Sequence, residues 1–289
     1  MRLILFSLLT VFAVFVSHPA FAGTAATIDE LVAPYDSSKC GECHDDIHKD
    51  WAGSWHGKSI VDPRVLKTFK TFILSGLDKS KAARKDLKDV CLGCHAPQIR
   101  DASDELVVKI SDMIITAVDD KNEAKREAAK KELAKLNINC IACHNLYAVP
   151  DGNPQPKTIY GTGKAQDTTP HKDEIGFNSV KSEYFKTSKF CGKCHGCELP
   201  SKECPTIYSS YEEHYLMHGG KETCQGCHMK EASHKFPGIY EKDFAKDAVE
   251  INISASPTEY VYHLENRIVP GLVMNIKLTN HSGHGIPHG

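Results

Sequence analysis

Cys140-Ile141-Ala142-Cys143-His144 decides how this chain of 289 residues is read, because its CxxCH pattern occurs five times. The other copies are Cys40-Gly41-Glu42-Cys43-His44, Cys91-Leu92-Gly93-Cys94-His95, Cys191-Gly192-Lys193-Cys194-His195 and Cys224-Gln225-Gly226-Cys227-His228. CxxCH is the attachment signature of c-type haem: two thiols add to the porphyrin vinyl groups, and the adjoining imidazole falls onto the iron as its proximal ligand. At this Cys and His content about 0.03 copies arise by chance, so five are decisive. Zinc is the competing metal for paired Cys, but a His next to the second Cys cannot easily reach the same tetrahedral ion. The sequence therefore predicts five covalent haem c groups, with His44, His95, His144, His195 and His228 as proximal ligands.

Outward from the motifs, the N-terminus carries an address. Met1-Arg2 leads into an apolar run from Leu3 to Val16, and Ala20-Phe21-Ala22 follows. A charged start, a short apolar core and a small-residue cleavage site make a secretory signal peptide over residues 1–22. The apolar run is too short to span a bilayer and no later stretch resembles it, so no transmembrane anchor is expected. The chain is read as exported, to the periplasm or to the outer surface and extracellular space, in keeping with haem attachment outside the cytoplasm.

A formal charge of −2 gives no footprint for nucleic acid, and redox protein donors and acceptors are the expected partners. Aromatic residues are 8% and the mean hydropathy is −0.35, low for a chain that must bury a large side-chain core. The macrocycles are expected to supply much of the apolar interior, and the apo-protein to be largely unfolded. Ten of the 12 Cys belong to the motifs, leaving Cys197 and Cys204. In an oxidising compartment such a pair forms a disulfide, with free thiols or a redox-active pair as the alternatives. Met is scarce and His abundant, so bis-His ligation is favoured over His/Met, which lowers reduction potentials.

Along the chain, Gly23 to Ser38 reads as a flexible lead-in and Arg64 to Val90 as a basic helical stretch. Leu106, Ile110, Met113, Ile114 and Ala117 form a helical apolar stripe. Asp119 to Leu136 reads as a solvated helix with Glu127 and Lys131 at i,i+4. Pro150 to Pro170 reads as a loop over haem edges. Val249 to Ile253 and Leu272 to Leu278 alternate with period two, predicting strands joined through a turn at Val269-Pro270-Gly271-Leu272.

Several further patterns accompany the motifs: Trp51-x-x-Ser54-x-His56, Pro170-His171, His218 before Cys224, Ser233-His234-x-Phe236-x-Gly238, and Asn280-x-x-Gly283-His284-x-x-Pro287. In these the chain resembles the multihaem cytochromes related to the tetrahaem electron acceptor of hydroxylamine oxidation and to octahaem reductases. The likeness covers most of the chain after the signal. It implies that His56, His171, His218, His234 and His284 are distal ligands, each to a haem distant in sequence. His48, His214, His263, His281 and His288 are reserves, and His214 and His218, at i,i+4, are interchangeable at this stage. The pairing of distal His to haem is not readable. The Lys-ligated motif of pentahaem nitrite reductases does not occur. In pattern and C-terminal ending the chain also resembles the ExtK-like pentahaem cytochromes of metal-reducing bacteria.

The expected fold is mainly α, with little regular structure around five stacked haems and a short C-terminal β segment. The expected organisation is a signal peptide (1–22), a pentahaem cytochrome domain (23–245) and a β segment (246–289) carrying His284. In the resembling family that last motif precedes further β structure, so a continuation or a completing partner chain is expected there. The expected function is electron transfer between periplasmic donors and outer-surface or extracellular acceptors. The alternatives are a reductase or oxidase of a small nitrogen or sulfur compound at one open haem, and a subunit of a cytochrome filament.

Overall fold

The computed structural model describes residues 24–75, 81–163, 170–196 and 206–286. The predicted signal peptide, Cys197, Cys204 and His288 lie outside the described residues. The fold is mainly α with a short C-terminal β segment.

The lead-in is not loose. Thr27 and Glu30 form a reciprocal capping box that starts helix α1, Ile28–Val32, and Ile28 and Leu31 are buried. Ala25 pairs with Ala102, and the Tyr35 hydroxyl donates to Asp101 at 2.6 Å, so the segment is docked at both ends. Helix α2, Asp45–Gly53, follows the first motif, and α3, Pro63–Ser75, buries Leu66, Phe69 and Ile73.

The predicted apolar stripe lies on helix α4, Asp104–Asp119, capped by Ser103. Leu106, Ile110, Ile114 and Ala117 face inward, and Met113 packs at the margin. Helix α5, Glu123–Ala134, is capped by Asn122 and turns only Ala129 and Leu133 inward. Glu127 pairs with Lys130 at i,i+3, and Glu132 pairs with Lys135 just past the helix end. These helices close one side-chain core between Ile28 and Leu136.

The remainder is built differently. Short strand β1, Thr158–Gly161, lies in the predicted loop and pairs in parallel with β2, Asn178–Lys181. Helices α6, Ser188–His195, and α7, Ile207–His214, follow. Among the described residues from 170 to 286, only Ser188, Ser210 and Tyr211 are buried.

Strands β3, Val249–Tyr262, and β4, Arg267–Asn280, form an antiparallel ribbon. The turn is at 263–266, where Asn266 adopts the left-handed conformation (φ 46°) that Asn tolerates. Val269-Pro270-Gly271-Leu272 lies inside β4, so the turn predicted there is corrected. Pro is tolerated where an edge N–H would face outward, and Pro257 and Pro270 share one parity of the ladder. Alternation gives the ribbon an apolar face, with Ile251 opposite Leu278, Ile253 opposite Ile276 and Ala255 opposite Met274. The reverse face carries Asn252, Lys277, Ser254 and Asn275.

Candidate functional site

Each motif sits on a helical turn, which sets the Cys at i and i+3 on one face with the His directly after. Cys40–Cys43, Ser188–His195 and Cys224–His228 are α-helical. Lys88–Leu92 and Ala142–Leu146 widen to π geometry. Thr223 caps the last motif by accepting from the Gly226 N–H at 3.1 Å.

The motifs meet out of sequence order. The thiols of Cys40 and Cys140 are in hydrogen-bonding contact, as are those of Cys191 and Cys224. Tyr147 lies among Cys94, Cys143 and Cys194 and donates its hydroxyl to the Gly93 carbonyl. The first motif thus adjoins the third, the fourth adjoins the fifth, and Tyr147 joins the second to the third and fourth.

Four motif imidazoles face a second imidazole from far along the chain. Ring centres are 6.0 Å apart for His44 and His171, and 6.2 Å for His195 and His56. They are 6.3 Å apart for His144 and His234, and 6.2 Å for His228 and His284. A metal–imidazole bond of about 2.0–2.1 Å on each side, plus about 1.1 Å from nitrogen to ring centre, separates two trans ligands by about 6.3 Å. These residues therefore fit an iron between each pair.

Five of the predicted ligand histidines have the outer nitrogen held by a carbonyl as such a role requires, His171 Nδ1 meets Ser179 Oγ at 2.9 Å, and the buried Nδ1 of His56 has no hydrogen-bond partner among the described residues. Nδ1 of His144 lies 2.8 Å from the Tyr160 carbonyl, and that of His228 lies 2.7 Å from the Pro237 carbonyl. His95 uses Ser59 O at 2.9 Å, His234 uses Ala232 O at 2.8 Å and His284 uses Gly285 O at 2.9 Å. A carbonyl can only accept, so Nδ1 carries the proton and a neutral ring keeps its Nε2 lone pair for a metal. Burial favours the neutral form: it pushes His56 down to about 4, helped by His195, His234 and His95. It also lowers His144, His195 and His228.

Local chemistry explains these positions. Trp51 Nε1 donates to Ile138 O at 2.8 Å, pinning α2 beside the third motif. The chain then folds back so tightly that a Cβ on Gly57 would come 2.5 Å from the Trp51 carbonyl oxygen, which is why Gly follows His56. Asp50 accepts from Ser233 Oγ at 2.7 Å and His234 N at 3.3 Å, tying the His234 loop to α2. Phe236, in the left-handed region at φ 49°, lies edge-on to His56 at 4.4 Å and to His234 at 5.6 Å, between two of the pairs. Phe185 stacks on His144 at 5.1 Å. Neither Phe carries a metal-ligating atom, so ligand counting passes over both.

His95 differs from the other motif imidazoles. The ring against it is Phe69, edge-on at 4.9 Å, and among the described residues no second His ring stands opposite. His218 is exposed and makes no ring contact with a motif imidazole. Of the reserves, His48 packs on Trp51 at 5.3 Å, His281 pairs with Glu250 at 3.0 Å, and His214 is exposed.

Residues 39–116 match the family model for cytochrome c554 and c-prime. That stretch holds the first two motifs and the segment from Trp51 to His56. The match supports a multihaem c-type cytochrome family, and with it covalently bound haem c and a haem electron-transfer role in general. No curated protein and no solved structure matches the chain. Among the described residues no helix is long and apolar enough to cross a membrane.

Proposed function

We propose that the chain is an exported pentahaem electron-transfer cytochrome, attached through its five CxxCH motifs and passing electrons between periplasmic donors and outer-surface or extracellular acceptors. The observation that carries this is the set of four facing imidazole pairs at 6.0–6.3 Å. His171, His56, His234 and His284 are assigned as the distal ligands to the haems of the first, fourth, third and fifth motifs. Haem supplies a one-electron ferric/ferrous couple whose potential the axial ligands tune. The protein's part is to set the paired imidazoles face to face, hold both rings of the His144/His234 and His228/His284 pairs on backbone carbonyls, and bring neighbouring motifs together. Two strong, fixed nitrogen ligands leave little to reorganise when charge changes, which suits a carrier better than a catalyst.

The second motif favours a further role at one position. Because His95 faces Phe69 and no second imidazole among the described residues, a haem held by the second motif would be the one suited to a small external ligand, such as a nitrogen or sulfur compound, as substrate. Intact-mass measurement tests the attachment, with the polypeptide from Gly23 plus five haems expected. A mature protein with four or fewer would remove at least one motif from the assignment. Nitrite, hydroxylamine and tetrathionate assays separate the two roles, and turnover at a useful rate would move the protein from carrier to enzyme.

A further inference from the structure

The ribbon of β3 and β4 is the part of the protein whose surface is least like that of a finished monomer. On its apolar face Ile251, Ile253, Leu272, Met274, Ile276 and Leu278 are between 54% and 65% exposed. With Val261 and Ile268 beside them, these side chains present on the order of 800 Å² of apolar surface, more than the largest patch of a typical monomer. Two strands alone are marginal in water, and nothing among the described residues buries either face.

We propose that this face packs against the same face of a second copy of the chain, making a four-stranded sandwich. On the order of 800 Å² per copy is what a stable protein–protein interface of standard size buries from each partner. The face is also self-complementary. It is aliphatic along its length, and its one charge, Glu259, lies near the turn end opposite Pro270. A two-fold axis across the strands sets the two Glu259 carboxylates at opposite ends, so like charges stay apart while aliphatic rows meet at the ordinary sheet spacing of about 10 Å. The reverse face, with Asn252, Lys277, Ser254 and Asn275, then lies outside in water. A bilayer is a poorer occupant, because an open two-stranded ribbon would carry unpaired edge N–H and C=O groups into hydrocarbon. This pairing stands independently of the haem assignments.

The test is sedimentation equilibrium of the full haem-loaded protein. Wild type is expected to be a dimer at about 10 μM, and the paired variant Ile253→Lys/Ile276→Lys a monomer with affinity at least about a hundredfold weaker. The control Ser254→Lys/Asn275→Lys places the same charge on the reverse face and is expected to remain dimeric. Matching haem spectra establish that the variants are loaded. Should the apolar-face variant fail to mature, Ala255→Cys near the middle of the face is expected to cross-link with a short bis-maleimide, above the wild-type background. A wild type that stays monomeric overturns the proposal, whether or not it binds phosphatidylglycerol vesicles or a different protein. So does a dimer that the apolar-face pair leaves intact, or one that the control weakens equally.

Discussion

Replacing His284 with Gly removes one imidazole from the His228 pair while leaving the helical core between Ile28 and Leu136 untouched. The loop that carries it is held from outside the ring: Asn280 Nδ2 donates to the His284 carbonyl at 2.8 Å, and the Gly285 N–H donates to Ser210 Oγ at 2.7 Å. Those contacts use the backbone and survive the substitution. With four of five motif imidazoles facing a partner, about four fifths of the wild-type iron should be low-spin and about one fifth high-spin. Losing one pair shifts this to about three fifths and two fifths, and added imidazole should reverse the shift. Spin quantification by EPR of the oxidised protein, with optical spectra alongside, reads both numbers. An unchanged low-spin intensity in His284→Gly would refute the pairing with His228, and a wild type with no high-spin iron would refute the distinct status of His95.

Two further expectations concern stability and pH. Ser59 Oγ donates to the His95 carbonyl at 2.7 Å and accepts from the Ile138 N–H at 2.9 Å, so Ser59→Ala orphans a donor and an acceptor and should cost about 1–3 kcal/mol in chemical denaturation. A loss indistinguishable from zero would mean that water replaces the hydroxyl. The Asp50 carboxyl is held below its ordinary value of 3.8, chiefly by the Ser233 hydroxyl and also by the His234 N–H. A depressed folded value means that this contact stabilises fully above that ordinary value and fades as pH falls through the lower one. Asp50→Asn should therefore lose stability near neutrality and show a shallower acid decline than wild type. Parallel pH curves for the two proteins would contradict this.

What could be read in the sequence was whatever chemistry is local. A motif of five consecutive residues fixes its own geometry on one helical turn, and a 16-residue helix such as α4 shows its buried face through spacing alone. The short elements carry too few periods: α1 has five residues, and only the Thr27/Glu30 cap betrays it. The ribbon's strands were legible by alternation, but Pro270-Gly271 imitates a turn, and only the cross-strand register shows that 263–266 makes the reversal. Which imidazole faces which is a property of distant segments meeting. No spacing rule separates His218, exposed, from His284, set opposite His228.

The facing pairs also overlap along the backbone. His44 reaches forward to His171, but His56 has already set out for His195, His144 for His234, and His228 for His284 before the preceding reach is complete. With an iron in each gap, a single cut anywhere between residues 44 and 284 falls inside at least one closed span. A protease that nicks an exposed loop would therefore leave two fragments still fastened together through metal, parting only when the ligands are displaced. The border near residue 245, where helices give way to the ribbon, would be stitched across in the same way by His228 and His284. So loaded, the polypeptide would be laced rather than partitioned, and neither side of that border could be exchanged or lost without unlacing the other.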